Sequence, residues 1–392
     1  MSKVLSHIDE KIQLHPYSYD HSGNLVKASH NAVVSSQTNE WNQWRRLVSK
    51  SPINTVLSQG SEIQFELNNT GHIQTYYFEI KITETGNASN STINPYNLFQ
   101  QIEIETNNAG TKFKTFYAEE LYVSKMLHRS LTEHNRKRGA EGLGANFLPV
   151  ANNVTQNTET TFYLEFDIFE NSQPDLRLLQ YPLLIRCYMN QPSYFVTAGS
   201  TALSLTGFSL IHRALDLPLY RYNIPIHHRY INYVRYQEQR VLAVNTEYDF
   251  KLTTFNKLSA YLFFVLRSTP TNSNPTNWST YNTNIDYFQL NDAQNQIIGI
   301  QHKPAFNRFI VSQHFDCDFL NQVNGVYVIP FSLDPDASKN GQQQGSFRFS
   351  TNEILRIKTS ATITPGNFEL TVFSANHDSF SIDPQGWFHF TN

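Results

Sequence analysis

The chain has 392 residues, of which 40% are hydrophobic and only 16% charged, with 30 Lys and Arg against 33 Asp and Glu for a net charge of −3. That length accommodates two domains, each with a core of its own. The near-neutral balance argues against a chain-wide polyanion binder, which would be basic, and two cysteines, Cys187 and Cys317, are too few for a disulfide framework. Phe (28) and Tyr (21) are abundant and Met (3) is scarce, as in β-sheets joined by polar loops. A protein that hides much of its surface against copies of itself can carry this little charge.

Residues 1–50 read as an N-terminal arm. The first twenty hold no apolar core of signal-peptide length, so synthesis in a cytoplasm without secretion is expected. The segment Asn39–Lys50 (NEWNQWRRLVSK) is expected to form one or two helical turns, with Trp41, Trp44 and Val48 on one side and Pro52 as the stop. Trp41, Trp44, Arg45 and Arg46 are the candidate anchor of that arm. Indoles beside guanidinium groups suit a lipid headgroup boundary or a partner subunit, while packing beneath the first domain is the plainer alternative.

From residue 51 the pattern changes to period two. Ile63, Phe65 and Leu67 alternate with polar residues, as do Tyr76, Phe78, Ile80 and Ile82, then Ile102 and Ile104, then Phe113 and Phe116. One helix is expected over Ala118–Arg138, with Leu121, Met126, Leu127 and Leu131 on one stripe. Strands resume near Phe162. The proline-bearing stretch 215–229 reads as a linker, which divides the chain into a first domain at 51–214 and a second at 230–392. The second runs through Glu247–Arg267 and a polar loop at 268–283, then a short helix near Pro304–Phe315 and three closing strands. Its most apolar run, Tyr261–Leu266, is far too short to span a bilayer.

The two halves end alike. Thr161–Phe169 (TFYLEFDIF), Pro182–Met189 (PLLIRCYM) and Ala202–Ala214 (ALSLTGFSLIHRA) are answered by Val326–Leu333 (VYVIPFSL), Glu353–Ser360 (EILRIKTS) and Asn367–Asp378 (NFELTVFSANHD). The offset is about 165 residues, the size of one domain. An eight-stranded Greek-key sandwich takes roughly 150 residues with its loops. The expected fold is therefore all-β: two tandem eight-stranded jelly-roll β-sandwiches, with short helices in loops and the N-terminal arm. Phe162, Leu164, Phe166 and Ile168 should point into the first core, and Phe368, Leu370 and Val372 into the second.

Phe255–Arg267 (FNKLSAYLFFVLR), Val326–Ser350 (VYVIPFSLDPDASKNGQQQGSFRFS) and the turn Thr351–Glu353 before ILRIK stand in the order and spacing of a known family. With the duplicated layout, the chain from Pro52 onward resembles the double jelly-roll major capsid proteins of tailless icosahedral DNA viruses. The resemblance implies a homotrimer of pseudo-sixfold outline that tiles a virion shell around a DNA genome. It further implies contacts with neighbouring capsomers and with minor capsid or vertex proteins, often above an internal membrane. No cofactor and no sequence-specific nucleic-acid binding are implied.

Chemistry must be weighed beside assembly. His227 and His228 are adjacent and point to opposite faces of a strand, and His128 and His134 do not share a helix face, so neither pair suits a metal. The carboxylate pairs Glu103/Glu105 and Asp316/Asp318 could line a groove but are common on solvated strands. There is no nucleophile elbow, phosphate-binding loop or zinc spacing. The basic run Asn135–Arg138 reads as a helix end whose cations favour the dipole. No enzyme is expected. The alternative to a capsid role is a two-domain β-sandwich that binds a receptor or carbohydrate through exposed aromatics.

Overall fold

The computed structural model describes residues 17–19, 25–27, 43–48, 55–56, 61–67, 72–84, 91–106, 111–166, 168–169, 174–190, 203–215, 226–268, 281–315, 325–335 and 345–391. Strands β1 (Tyr17–Tyr19) and β2 (Leu25–Lys27) form a small antiparallel pair of their own. Then come β3 (Gln43–Val48), β4 (Thr55–Val56), β5 (Glu62–Leu67), β6 (His72–Glu84), β7 (Phe99–Thr106) and β8 (Thr111–Tyr117). Helices α1 (Ala118–His128) and α2 (Leu131–Lys137) precede β9 (Glu159–Phe166), β10 (Leu183–Met189) and β11 (Leu203–Leu215). The second half holds β12 (Ile226–Leu242), β13 (Glu247–Lys251), β14 (Leu258–Ser268), β15 (Ile285–Asn291), β16 (Ile297–His302) and α3 (Pro304–His314). It ends with β17 (Val326–Pro330), β18 (Phe347–Arg348), β19 (Ile354–Thr359), β20 (Gly366–Ile382) and β21 (Phe388–Thr391).

Two sheets make each half. In the first they run β3-β11-β6-β9 and β5-β10-β7-β8; in the second, β12-β20-β14-β17 and β13-β19-β15-β16. Counting the main strands of each half from one to eight, both halves read 1-8-3-6 against 2-7-4-5. All the pairings are antiparallel. This is one jelly roll built twice, and in both copies the helices lie between the fifth and sixth strands. The recurring sequence blocks are strands six, seven and eight of each copy.

That count corrects the reading of the arm. The expected helical turns over Asn39–Lys50 are instead strand β3, the first strand of the first jelly roll, paired residue for residue with β11 from Gln43↔Ala214 to Val48↔Ser209. A boundary at residue 50 therefore cuts a strand away from its sheet. Eight strands are needed to complete the roll, and β11 would otherwise leave a row of backbone groups unpaired. The stretch 215–229 is likewise shorter as a linker than expected, because β12 begins at Ile226 and runs for 17 residues.

The expected helix over 118–138 is two helices. Arg129 is extended (φ −106°, ψ 124°), and the Ser130 hydroxyl accepts from the Glu133 N–H at 3.3 Å to start α2. Leu131, expected on the buried stripe, is 42% exposed as a result, whereas Leu121, Met126 and Leu127 are buried.

The core assignment from alternation holds. Phe162, Leu164, Phe166 and Ile168 are buried in the first roll, where Phe166 stacks on Phe78 at 4.2 Å. Phe368, Leu370 and Val372 are buried in the second. Strand β14 is buried on both faces: Leu262, Phe264 and Leu266 fill the second core, while Tyr261, Phe263 and Val265 join a core continuous with the first roll. Double burial explains why this strand reads as an unbroken apolar run. The exposed edge at β17 is closed by Asn307 of α3, whose side-chain amide donates to the Val328 carbonyl (2.6 Å) and accepts from the Val328 N–H (3.2 Å), as a neighbouring strand would.

Candidate functional site

The two rolls meet in a buried seam. The first roll offers β8 and α1, and the second offers the outer face of the β12-β20-β14-β17 sheet together with the paired ends of β12 and β20 that run on past β14. Phe113 of β8 meets Tyr230 (4.9 Å between ring centroids) and Phe380 (5.2 Å), and Tyr117 meets Phe373 (5.9 Å). The Arg235 guanidinium lies 4.0 Å over the Tyr117 ring. His128 at the end of α1 hydrogen-bonds the Tyr261 hydroxyl at 2.7 Å. Buried Arg267 pairs with Glu119 of α1 and, at 3.1 Å, with Glu369. A buried charge held between two partners is costly to break, so these pairs fix the register of one roll on the other.

The C-terminal hairpin adds a strap. Its turn places the Gly386 carbonyl against the Gln180 N–H at 3.1 Å. Gly386 has φ +90°, and a Cβ there would press into the Leu178 carbonyl, so this position needs glycine. Phe388 and Phe390 of β21 then pack against Phe113.

The excursion that carries α1 and α2 is tied down by a buried ionic cluster. Arg129, 2% exposed, holds Glu141 through two hydrogen bonds of 2.6 and 2.9 Å and approaches Glu165 at 3.3 Å. The Tyr96 hydroxyl donates to Glu141 at 2.9 Å, and burial beside that carboxylate pushes its titration well above the ordinary range. Burial alone would raise the Glu165 carboxyl, but Lys125, Lys137 and Arg129 outweigh it and hold it at about 2. In the second roll, burial lowers His302 to about 4; its ring stacks on Phe288 at 5.1 Å and meets the Asn307 amide at 3.3 Å.

The sequence-level candidates are placed as follows. Trp41 lies outside the described residues, and Trp44, Arg45 and Arg46 lie on β3, opposite Arg213, His212 and Ile211 of β11. Arg46 is exposed and reaches Glu79 on β6 at 2.7 Å. The structure thus puts three of the four on β3, the edge strand of its sheet among the described residues. Asp316 and Asp318 also lie outside the described residues. Glu103 accepts from Lys112 (2.5 Å), and Glu105 pairs with Arg186 (3.2 Å). These are carboxylates neutralised by cations on the same sheet. His134 stacks on Phe147 at 4.1 Å and meets the Gly144 carbonyl, far from the role of His128 at the seam. In the basic run, Lys137 bridges Glu133 and Glu165 at 2.6 Å each. Among the described residues no group of three or more His, Cys, Asp and Glu could hold a metal, and no helix is long and apolar enough to cross a membrane.

Sequence reasoning missed the seam residues Tyr117, Glu119, Arg235 and Arg267. A signal for them existed in the run Tyr261–Leu266, because a strand apolar on both faces must have a partner on each.

Two jelly rolls joined by a buried seam define the class: the chain has the double jelly-roll fold. It is similar to the subunit of the PBCV-1 virus capsid (TM-score 0.65, 16% identity, covering 91% of this chain and 98% of that one). It is similar also to a chain of the Sputnik virophage structure (TM-score 0.60, 13% identity, 90% and 89% covered) and to the Faustovirus major capsid protein (TM-score 0.59, 10% identity, 86% and 90% covered). At such identities the shared property is the fold. No protein-family model matches the sequence, and no curated protein matches it.

Proposed function

We propose that this chain is a structural, non-enzymatic major capsid protein. It self-assembles as pseudo-hexameric homotrimers into an icosahedral virion shell around a DNA genome. The observation that carries this reading is the duplication: two rolls of identical strand order, joined face to side, in a fold shared over nearly the full length of viral capsid subunits. Three such chains present six similar walls, which close by cyclic symmetry. The low charge and high aromatic content fit a surface largely hidden in assembly. Neighbouring capsomers are the principal partners, with minor capsid or vertex proteins and an internal membrane as further ones. Trp41, Trp44, Arg45 and Arg46 are proposed to lie at contacts made on assembly, with Trp44, Arg45 and Arg46 on strand β3 of the first roll.

The test is to purify the protein, measure its mass in solution from nanomolar to micromolar concentration, and image it by electron microscopy. A three-chain species that associates into curved arrays or particles supports the reading. A monomer at all concentrations that binds a defined glycan on an array would replace it with the receptor- or carbohydrate-binding alternative.

A further inference from the structure

We infer that His302 is an acid-operated latch: a proton taken up at its Nδ1 breaks the bond that steadies Asn307 and releases helix α3 from the edge of β17. This device is independent of the capsid reading and uses a group that reading leaves idle.

The protonation state follows from the hydrogen bonds. The Val328 N–H donates to the Asn307 Oδ1 at 3.2 Å, which fixes the direction of the Asn307 amide. The Nδ2 then has two hydrogens to place. One goes to the Val328 carbonyl at 2.6 Å, and the other points at the His302 Nδ1, 3.3 Å away. His302 Nδ1 is therefore the acceptor, and the ring is the neutral tautomer with its proton on Nε2. A proton on Nδ1 sets N–H against N–H at a residue only 5% exposed.

No carboxylate stands by to offset that charge. His302 packs on β15 through the Phe288 ring and on α3 through Asn307, which joins both to β17. The titratable and charged groups of these elements are Asp286 and Tyr287 on β15, Lys303, Arg308 and His314 on α3, and Tyr327 on β17. Asp286 faces Lys358 at 3.6 Å, and Tyr287 donates to Glu247. His314 is bonded to the Ser332 and Leu333 carbonyls at the far end of the helix. Burial holds the Tyr327 phenol at about 12, and burial alone brings His302 down to about 4.

Release of α3 has a defined consequence. Val328 loses the partner of its N–H and its carbonyl, so β17 becomes an open edge able to pair with another chain. Val311 and Phe315 leave the core, and Phe315 leaves the rings of Tyr261 and His128 at the seam. The ionic cluster of the first roll persists through this window, because the Glu165 carboxyl is held at about 2. The closed latch favours neutral His302, so it is shut above pH about 6.5 and opens as pH falls toward about 4.

The test is hydrogen exchange by mass spectrometry on the full chain from pH 7 to pH 4.5, corrected for the intrinsic pH dependence of exchange. The expected result is that peptides from β17 and α3 open about 20-fold more often at pH 5 than at pH 7, while those from β10 and β20 do not change. His302→Gln should abolish the rise, and Asn307→Ala should open α3 at both pH values. Exchange in β17 and α3 that ignores pH overturns the latch, as does a rise of equal size in His302→Gln or in every strand. An Asn307→Ala variant protected like wild type overturns it too. Should the variants fail to fold, the imidazole nitrogen resonances of wild type decide: a His302 ring that carries its proton on Nδ1 at pH 7 refutes the latch, and one that carries it on Nε2 supports it.

Discussion

Replacing Arg129 tests how the helical excursion of the first roll is held. Arg129 and Glu141 are each 2% exposed, and among the described residues the further partner of Glu141 is the Tyr96 hydroxyl. Arg129→Met keeps the aliphatic volume but strands a buried carboxylate. Breaking one side of a buried pair costs about 3–5 kcal/mol. Glu141 can keep its hydrogen bond from Tyr96, which places the expected loss near the lower end, about 3 kcal/mol. Arg129→Met/Glu141→Leu removes both charges, and an apolar replacement of a buried pair is often neutral; it should recover about 2 kcal/mol of that loss. The assay is urea unfolding of wild type, both single variants and the double, fitted at the first transition because two rolls need not unfold together. The four values form a double-mutant cycle. If Arg129→Met costs less than about 1 kcal/mol, or if the double variant is as unstable as the single, the cluster is not what fastens α1 and α2.

Deleting residues 1–50 removes β3 and six residues of pairing with β11, and leaves buried Glu79 without Arg46; it should destabilise the first roll by about 3–6 kcal/mol, whereas deletion of 1–42 should spare it. Equal melting of the two truncations would show that β3 contributes nothing. His302 titrates at about 4 in the fold, below its ordinary value near 6.5, so its neutral form is favoured by folding. Stability is then full above pH about 6.5 and falls by about 3 kcal/mol as pH drops to about 4. His302→Gln should flatten that segment of the melting profile, and an identical slope in variant and wild type would remove His302 from the account. Phe166→Ala should cost about 3–5 kcal/mol and Leu370→Ala about 2–5 kcal/mol, each measured by chemical denaturation; an unchanged midpoint at either would mean that its face is misassigned.

Much of the fold could be read from alternation, because a roll with one dry face per sheet writes its core into every second residue. The sets Phe162/Leu164/Phe166 and Phe368/Leu370/Val372 show this, and so does the recurrence of strands six to eight. What could not be read was set by tertiary partners. β3 contains Trp44, Arg45, Arg46 and Leu47, a pattern as compatible with a helical turn as with a strand; it is a strand because β11 needs a neighbour. The break at Arg129 follows from Glu141 and Glu165, residues 12 and 36 positions away, which no local window contains. The seam is legible only in hindsight, since Tyr117, Glu119 and Arg267 look like ordinary members of half-exposed elements until the second roll is set against them.

The two 1-8-3-6 sheets show what duplication has done with one surface. On the second roll the outer face is lined with Tyr233, Tyr261, Phe263 and Phe373 and is covered within the same chain. On the first roll the equivalent face carries Arg46, Glu79, Lys81 and Tyr163. On the proposed capsid reading, the difference follows from when each face is covered. A contact inside one chain forms with a high effective concentration and never has to be exposed in the folded subunit, so aromatic residues are tolerated there. A face that meets another chain stays in water until assembly, so it needs paired charges and hydroxyls to avoid indiscriminate sticking. On this view the sparse charge of the sequence is unevenly spent: the permanent seam takes the aromatics, and the face that must wait for its partner keeps its ions.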